Sequence, residues 1–530
     1  MKYPCDAVPT STAISDRRAP VTEGRWILAA TILGSSMAFI DGTVVNVAMP
    51  SLQGSFHATV SDVLWVVDAY LLVLSALILV GGSLGDLYGR RRIYAIGVVV
   101  FALASAWCGL ASDIRWLIVA RAAQGVGAAL LIPGSLALIS AAFPTERRGK
   151  AIGTWSGFTG ITAAIGPVLG GWLVQHLSWR WVFFINLPIA ALVLLLLFWH
   201  VPESRASQSG QKLDLLGAML MTFGLGGLVF ALIEAPARGW RHPAVYGSLG
   251  ASILAIVLFL LLERRRKSPL VPLRLFVSSD FSGANLLTLL LYAALGTVLF
   301  FLPFDLIQVH GYTPTQAGAA NLPFILTLFF LSSWAGGLVS RYGARLPLVL
   351  GPLVTALGFA LFARPGTQGS YWSTFFPATL ILGLGMTAVV APLTTTVMNS
   401  VDGKEVGVAS GINNAVSRIA SLLAIAVFGM ILSYVFGSQL RDALASAPIP
   451  ENARSRVLQQ QSRLTQIEVP SELDPAQKQG VKRAIDLSFV AAFRRVMLLS
   501  AGLALLSSAS AWGLISGRKQ QRQMDALHTA

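Results

Sequence analysis

The chain alternates long apolar stretches with short, mostly basic connections. A helix needs ~20 predominantly apolar residues to cross a bilayer. Fourteen stretches meet that length, at about 26–48, 61–83, 93–112, 115–140, 153–175, 181–200, 214–234, 244–262, 281–304, 316–339, 346–363, 374–397, 407–436 and 488–516. In lipid every backbone amide must pair inside its own segment, which leaves helices as the open-chain solution. The pattern therefore predicts an all-α polytopic membrane protein with fourteen transmembrane helices. An even number places both termini on one side.

Composition supports this. Hydrophobic residues make up 55% of the 530 and charged residues 12%, with a mean hydropathy of +0.68. Soluble proteins carry about 25% charged residues, so a string of soluble enzyme domains is excluded. The first 25 residues are polar and lack the apolar core of a cleavable signal. Cys5 and Cys108 sit in unlike surroundings and predict no disulfide.

Lys and Arg set the orientation. With the N-terminus inside, the inner segments hold about 23 of them and the short outer loops about five, Arg115, Arg180, Arg238, Arg241 and Arg364. Both termini are thus expected in the cytoplasm, in a multi-pass protein of the cell inner (plasma) membrane. The same asymmetry explains most of the +15 net charge without nucleic acid.

The expected organisation is a cytoplasmic tail 1–25, a six-helix bundle 26–200, a linker with two extra spans 201–280, a second bundle 281–516 and a tail 517–530. The long outer segment 437–487 reads as polar helices 452–465 and 475–486 around Val469-Pro470-Ser471-Glu472. Two six-span halves suggest a transporter with a cavity between them. A weak internal echo agrees: Gly82-Ser83-Leu84-Gly85-Asp86 after span 2 is matched by Gly336-Gly337-Leu338-Val339-Ser340 after span 10.

Enzyme motifs are missing. Gly149-Lys150 and Gly403-Lys404 lack the Ser/Thr of a phosphate-binding loop, and there is no HExxH or CxxC. The six His stand at or beyond span ends, so no metal site is expected. No cofactor is expected beyond a proton gradient.

Charges inside spans carry the chemistry. One at mid-bilayer costs about 2.5–3.5 kcal/mol on insertion scales, so it faces water or a partner. Asp41 lies within span 1, in Asp41-Gly42-Thr43-Val44-Val45-Asn46. It reads as a carboxylate that holds a proton and a cationic substrate in turn, or as half of a structural ion pair with an Arg. Arg121 in span 4 cannot neutralise itself and needs a carboxylate, carbonyls or water. Arg418 in span 13 is a second such cation. Asp68, with Asn46 and Asp305, is a candidate for the substrate cavity. Asp68 reads alternatively as a solvated acid at the outer rim, and Asp305 as a residue in reach of loop water. Glu234 ends span 7 as an interface residue. Span 5 carries Gly153, Gly157, Gly160, Gly166, Pro167, Gly170 and Gly171, a pattern for a bendable, closely packed helix.

Together these segments resemble the major facilitator superfamily, in particular its fourteen-span drug:proton antiporters. Asp41 to Pro50 resembles the span-1 signature. Gly82 to Arg91 resembles the loop signature, with Leu87 where Arg is common. Leu117, Arg121, Gln124, Gly125 and Gly127 resemble the span-4 signature, and Gly153, Gly166, Pro167, Gly170 and Gly171 the span-5 antiporter signature, with Thr162 in place of a Gly. Trp179 to Pro188 is similar to the fourteen-span branch. The resemblance implies export of small amphipathic compounds in exchange for protons, with Asp41 and Arg121 coupling the proton. It implies a cytoplasmic gate at Gly82, Asp86, Gly89, Arg90 and Arg91 that holds the halves together. Asp68 and Asp305 stand where the family more often has polar or aromatic residues, which hints at a cationic substrate. An exporter of one metabolite, lipid or siderophore would carry the same signatures. A periplasmic adaptor is a possible partner beside substrate, protons and the bilayer. On this reading Asp41 and Arg121 line one aqueous chamber reached from alternate faces.

Overall fold

Local sequence starts and stops the helices at polar punctuation. Thr59 and Asp62 form a reciprocal capping box, as do Thr313 with Gln316 and Asp474 with Gln477. Asp113 accepts from the amides of Arg115 and Trp116. The computed structural model describes residues 21–205, 214–266, 269–401 and 405–516. The expected tails and the middle of the linker lie largely or wholly outside them.

The first group comprises α1 (Val21–Phe56), α2 (Val60–Tyr88), α3 (Arg90–Leu110), α4 (Ile114–Ala142), α5 (Thr145–His176), α6 (Trp181–Phe184) and α7 (Asn186–His200). The extra pair is α8 (Leu215–Arg238) and α9 (Pro243–Arg265). The second group is α10 (Ser279–Phe304), a π turn Asp305–Val309, α11 (Pro314–Ala319), α12 (Leu322–Tyr342), α13 (Arg345–Phe362), α14 (Tyr371–Asn399), α15 (Val406–Ala445), α16 (Glu451–Gln459), a 3₁₀ turn Gln461–Gln466 and α17 (Pro475–Leu514).

Four expected elements differ. The sixth span breaks at Ile185 into α6 and α7, and the tenth breaks at Asn321 into α11 and α12. The polar helix expected at 475–486 is the first part of α17, which runs 40 residues through to the last span. The expected helix 452–465 stops at Gln459, because the chain turns at Leu464, whose φ is +52°.

Among the described residues, twelve helices are long and apolar enough to cross a membrane. Helices α5 and α12, some of whose side chains lie outside the described ones, are not among the twelve, and the fold is all-helical. Large apolar side chains such as Leu103, Phe198, Trp199, Phe223 and Phe330 are more than 60% exposed, a surface suited to lipid rather than water.

In the first group α2 packs on α4, α3 on α4, and α1 on α5 and α7. In the second, α13 packs on α14 and α17, α12 on α14, and α10 on α15 and α17. Close approach is obligatory at α4. A Cβ at Gly125 would stand 2.7 Å from the Tyr70 carbonyl oxygen, and one at Gly127 2.5 Å from the Phe101 nitrogen. The groups meet through α2 on α15, α5 on α11 and α1 on α10, and α8 packs against both α2 and α15.

Candidate functional site

Asp41 and Arg121 are 80 residues apart in sequence and bonded in space. Arg121 Nη1 donates to Asp41 Oδ2 at 2.6 Å and to Gln124 Oε1 at 2.7 Å. Gln124 Nε2 donates to Asp41 Oδ1 at 2.8 Å, so the amide bridges both ends of the ion pair. Arg121 Nε donates to the Val66 carbonyl at 3.0 Å, and its guanidinium lies 4.3 Å from the Tyr70 ring centroid. A further layer holds Gln124: its Nε2 reaches Ser105 Oγ at 3.3 Å, and Asn186 Nδ2 donates to the same hydroxyl at 2.9 Å. Ser105 in turn donates to the Phe183 carbonyl at 2.8 Å. Helices α1, α2, α3, α4, α6 and α7 all contribute.

Burial is complete. Asp41 and Gln124 are 0% exposed and Arg121 1%. The expected water-lined position is therefore not what this state presents: the pair is enclosed. The physical reason is local compensation. Asp41 and Gln124 accept from Nη1, the Val66 carbonyl accepts from Nε, and the Tyr70 ring lies against the cation, which offsets the cost of enclosing it. Solvent comes close all the same. Gly42 is exposed with open space at its α-carbon, and Phe39 and Asn46 on the same face of α1 are half-buried. Across that face the Arg418 guanidinium of α15 stands 5.7 Å from the Phe39 ring centroid. Arg418 is half-buried there, not sealed as Arg121 is.

Asp68 is also 0% exposed, yet neither carboxylate oxygen has a hydrogen-bond partner. Leu64, one turn earlier on the same face of α2, touches Gly429 of α15. Asp68 thus belongs to the seam between the groups. It contributes nothing to stability as placed, since a buried acid without a partner is a cost. Asp68→Asn is expected to leave the thermal unfolding midpoint of the detergent-solubilised protein unchanged or higher. A marked fall would reveal a partner the geometry lacks. Asp305 lies at the far end of α10, 2% exposed, with Oδ2 3.4 Å from His310 Nδ1.

The loop between α2 and α3 marks the basic end of the molecule. Asp86 pairs with Arg90 of the next turn at 2.9 Å. Gly89 has φ +112°, a conformation that favours glycine. Glu203, just past α7, accepts from the amides of Arg91 and Arg92 at 3.0 and 3.1 Å and caps α3. Arg91 Nη1 donates to the Val201 carbonyl at 2.9 Å and Arg90 N to that of Ser204 at 2.9 Å. Here the loop is stapled to the exit of its own group. Gly82 sits 3.6 Å, as a Cβ distance, from Pro133 of α4.

The glycines of α5 divide by height. A Cβ at Gly166 would lie 2.2 Å from Thr43 Oγ1, and one at Gly170 2.8 Å from Val44, so both pack on α1 just past Asp41. A Cβ at Gly171 would lie 2.2 Å from the Pro314 carbonyl oxygen, and one at Gly318 2.0 Å from that of Pro167. This is backbone against backbone between the two groups. Towards the basic end a Cβ at Gly153 or Gly157 of α5, or at Gly407 of α15, would have open space among the described residues. At the opposite, hairpin end Gln53 donates to the Arg463 carbonyl at 3.0 Å, and Val60 and Val63 line one small pocket with Phe300, Phe301, Phe304 and Leu464. The groups are in contact at the hairpin end.

Sequence reasoning singled out Asp41 and Arg121 because charges are rare in spans. It treated Gln124 only as part of a signature and passed over Ser105, Tyr70 and Glu203. The spacing of Gln124 three residues beyond Arg121, one turn along α4, was a usable signal.

Comparison with known proteins decides the family. The Major Facilitator Superfamily profile matches residues 31–425. The chain belongs to the major facilitator superfamily. Its relatives in that superfamily include "Multidrug resistance protein Stp" of Mycobacterium tuberculosis, 38% identical over 81% of this chain and 80% of that protein. "Tetracenomycin C resistance and export protein" of Streptomyces glaucescens is 34% identical over 80% of this chain and 78% of its own. Among solved structures, a bacterial homolog of the human lysosomal transporter Spinster, inward-facing and unoccupied, superposes with a TM-score of 0.64 at 17% identity. It covers 93% of this chain and 98% of its own length. That likeness speaks for the major facilitator fold alone. Members and neighbours are transporters, and the chain is a multi-pass transport protein, not an enzyme.

Proposed function

We propose that the protein exports small amphipathic, cationic compounds from the cytoplasm in exchange for protons, as a multidrug antiporter. The relatives whose names speak of drug resistance and export support the direction and the substrate class. The observation that carries the coupling is the enclosed Asp41–Arg121–Gln124 cluster, a single carboxylate held by a permanent cation. Protonation of Asp41 removes its half of the ion pair. Arg121 keeps the Val66 carbonyl, Gln124 and the Tyr70 ring. Thr43 and Val44 on the same turn press on Gly166 and Gly170 of α5, and Gly171 of α5 presses on α11. A shift of α1 at Asp41 therefore reaches the seam between the halves through one helix.

On this reading α5 and α12 complete fourteen spans, the basic end and both termini face the cytoplasm, and the membrane is the inner one. The domains follow: bundles 26–200 and 281–516, joined by 201–280 with the extra pair α8 and α9. Asp68 and Asn46 would meet the substrate from α2 and α1. The Gly82–Arg91 loop would grip the second half only when the basic end closes. No cofactor is used beyond the proton gradient. A periplasmic adaptor would be an addition to this cycle, not part of it.

Expression in cells lacking their own pumps tests the proposal. Resistance to several unrelated lipophilic cations should rise and be lost on adding an uncoupler. Resistance to one compound alone would replace the multidrug reading with a single-metabolite exporter. Resistance that survives the uncoupler would reject proton coupling.

A further inference from the structure

His310 is placed as a group that reports on a proton. Its Nε2 lies 3.0 Å from the Gly366 carbonyl, and its Nδ1 lies 3.1 Å from the Asp305 carbonyl and 3.4 Å from Asp305 Oδ2. Carbonyl oxygens only accept. A neutral imidazole carries one N–H, so both nitrogens find a partner only when both are protonated. The imidazolium then has the Asp305 carboxylate as its counter-charge. Both side chains are almost fully enclosed, at 3% and 2% exposure, and the His310 ring abuts Phe375 edge-on at 5.0 Å. The backbone here is a π turn, Asp305–Val309, a form that recurs at functional sites.

This pair sits directly before the seal between the halves. Gly311, with φ +71° and open space around it, follows His310, and Tyr312 N bonds back to the Leu306 carbonyl at 2.9 Å. Thr313 then caps α11, whose Pro314, Thr315 and Gly318 press on Gly171 and Pro167 of α5. The position of α11 is set by the turn that the Asp305–His310 pair closes.

We infer that Asp305 and His310 hold one proton that keeps the hairpin-end gate shut, and that its release into the solution at that face lets α11 part from α5. Deprotonation leaves a buried carboxylate beside a neutral ring and one carbonyl unpaired. That loss falls on the closed state, because an opened turn admits water to both groups. Proton affinity is therefore higher closed than open. Acid at the hairpin face closes the gate, and alkali there opens it. The other ionisable groups around the pair are Tyr312, Tyr371 of α14, and Asp486 and Lys482 of α17. Tyr312 remains a neutral phenol, its pKa pushed up by burial and then by Asp305. The sign gives the gate a sense in the exchange cycle, where proton uptake from outside should return the empty carrier inward. To that extent the inference rests on the export reading. The gate's response to pH does not.

The test uses the full-length protein in lipid nanodiscs without substrate. Spin labels go at Leu177→Cys, at the end of α5, and at Trp372→Cys, at the start of α14, both exposed. Cys5 is replaced by Ser, and the buried Cys108 is left in place. The expected result is one short distance at pH 5.5 that gives way to a longer one by pH 8.5, over about two pH units as a single-proton transition requires. His310→Gln and Asp305→Asn should each abolish that dependence, while Tyr312→Phe keeps it. A wild-type distance fixed from pH 5.5 to 8.5 overturns the inference without any site variant. So does a wild-type response in either His310→Gln or Asp305→Asn, which places the proton elsewhere. If the gate responds but no compound is exported, the export reading fails and this one stands.

Discussion

Asp41→Asn is expected to abolish proton-driven export and also to destabilise the protein, by about 3–5 kcal/mol, because it strands a buried guanidinium without its carboxylate. The second half of this expectation comes from the geometry. A carboxylate lining a wet chamber could be replaced at the cost of coupling alone. The cluster shows why it is more: Arg121 is 1% exposed and, among the described residues, Asp41 is the acid paired with its charge. Asn keeps an acceptor for one guanidinium N–H but no charge. The double substitution Asp41→Asn with Arg121→Gln removes both charges and should recover most of the stability, since a buried ion pair is nearly neutral against its uncharged replacement. Export should stay absent. Thermal unfolding and uptake into everted vesicles separate the two effects. If the double variant were no more stable than the single, the ion pair would not be the source of the loss. If it exported, Asp41 would not be the coupling group.

Gly171→Ala and Gly318→Ala should hold the hairpin end open. Each new Cβ would meet a backbone carbonyl across the seam, at 2.2 and 2.0 Å, and a carbonyl oxygen has no rotamer with which to yield. Overpacking of this kind costs about 1–3 kcal/mol, and here the cost falls on the closed state alone. A bias of ~3 kcal/mol shifts the balance of states about 100-fold. Export should fall by an order of magnitude or more, with the hairpin face newly reactive to a membrane-impermeant thiol reagent at a cysteine placed near Val60. Gly127→Ala is the contrast. Its Cβ would strike Phe101 within the first group, so it should lower stability without changing which face is open. Equal accessibility in all three proteins would mean that the α5–α11 seam is not the gate.

Much of the architecture was legible because lipid imposes a simple rule on sequence. Apolar runs of bilayer length mark the helices, and basic residues mark one end. What escaped were the breaks. Asn186 and Pro188 stand at the step from α6 to α7 and Asn321 and Pro323 at that from α11 to α12, but within apolar runs of bilayer length such residues also occur in unbroken helices. The glycine-rich α5 shows what the rule leaves out: its apolar run marks a span, but not that this helix touches both α1 and α11. Asp41 and Arg121 stood out for the same reason that the spans did, since a charge in an apolar run is rare. Gln124, Ser105 and Asn186 did not, because uncharged polar residues are common in helices and only the fold shows that they converge. Glu203 and His310 lie outside the apolar runs, where polar residues carry no signal. Their roles depend on partners at Arg91 and Gly366 that spacing alone does not reveal.

The most direct test reconstitutes the purified protein in liposomes with a pH-sensitive dye inside. A lipophilic cation is then added on the side of the basic end, with no other gradient. The account predicts immediate proton movement opposite to the cation, absent in the Asp41→Asn/Arg121→Gln protein, and further cation entry when the pH difference that the exchange creates is dissipated. Cation transport at the same rate with no proton movement, or with the double variant as active as the wild type, would contradict it.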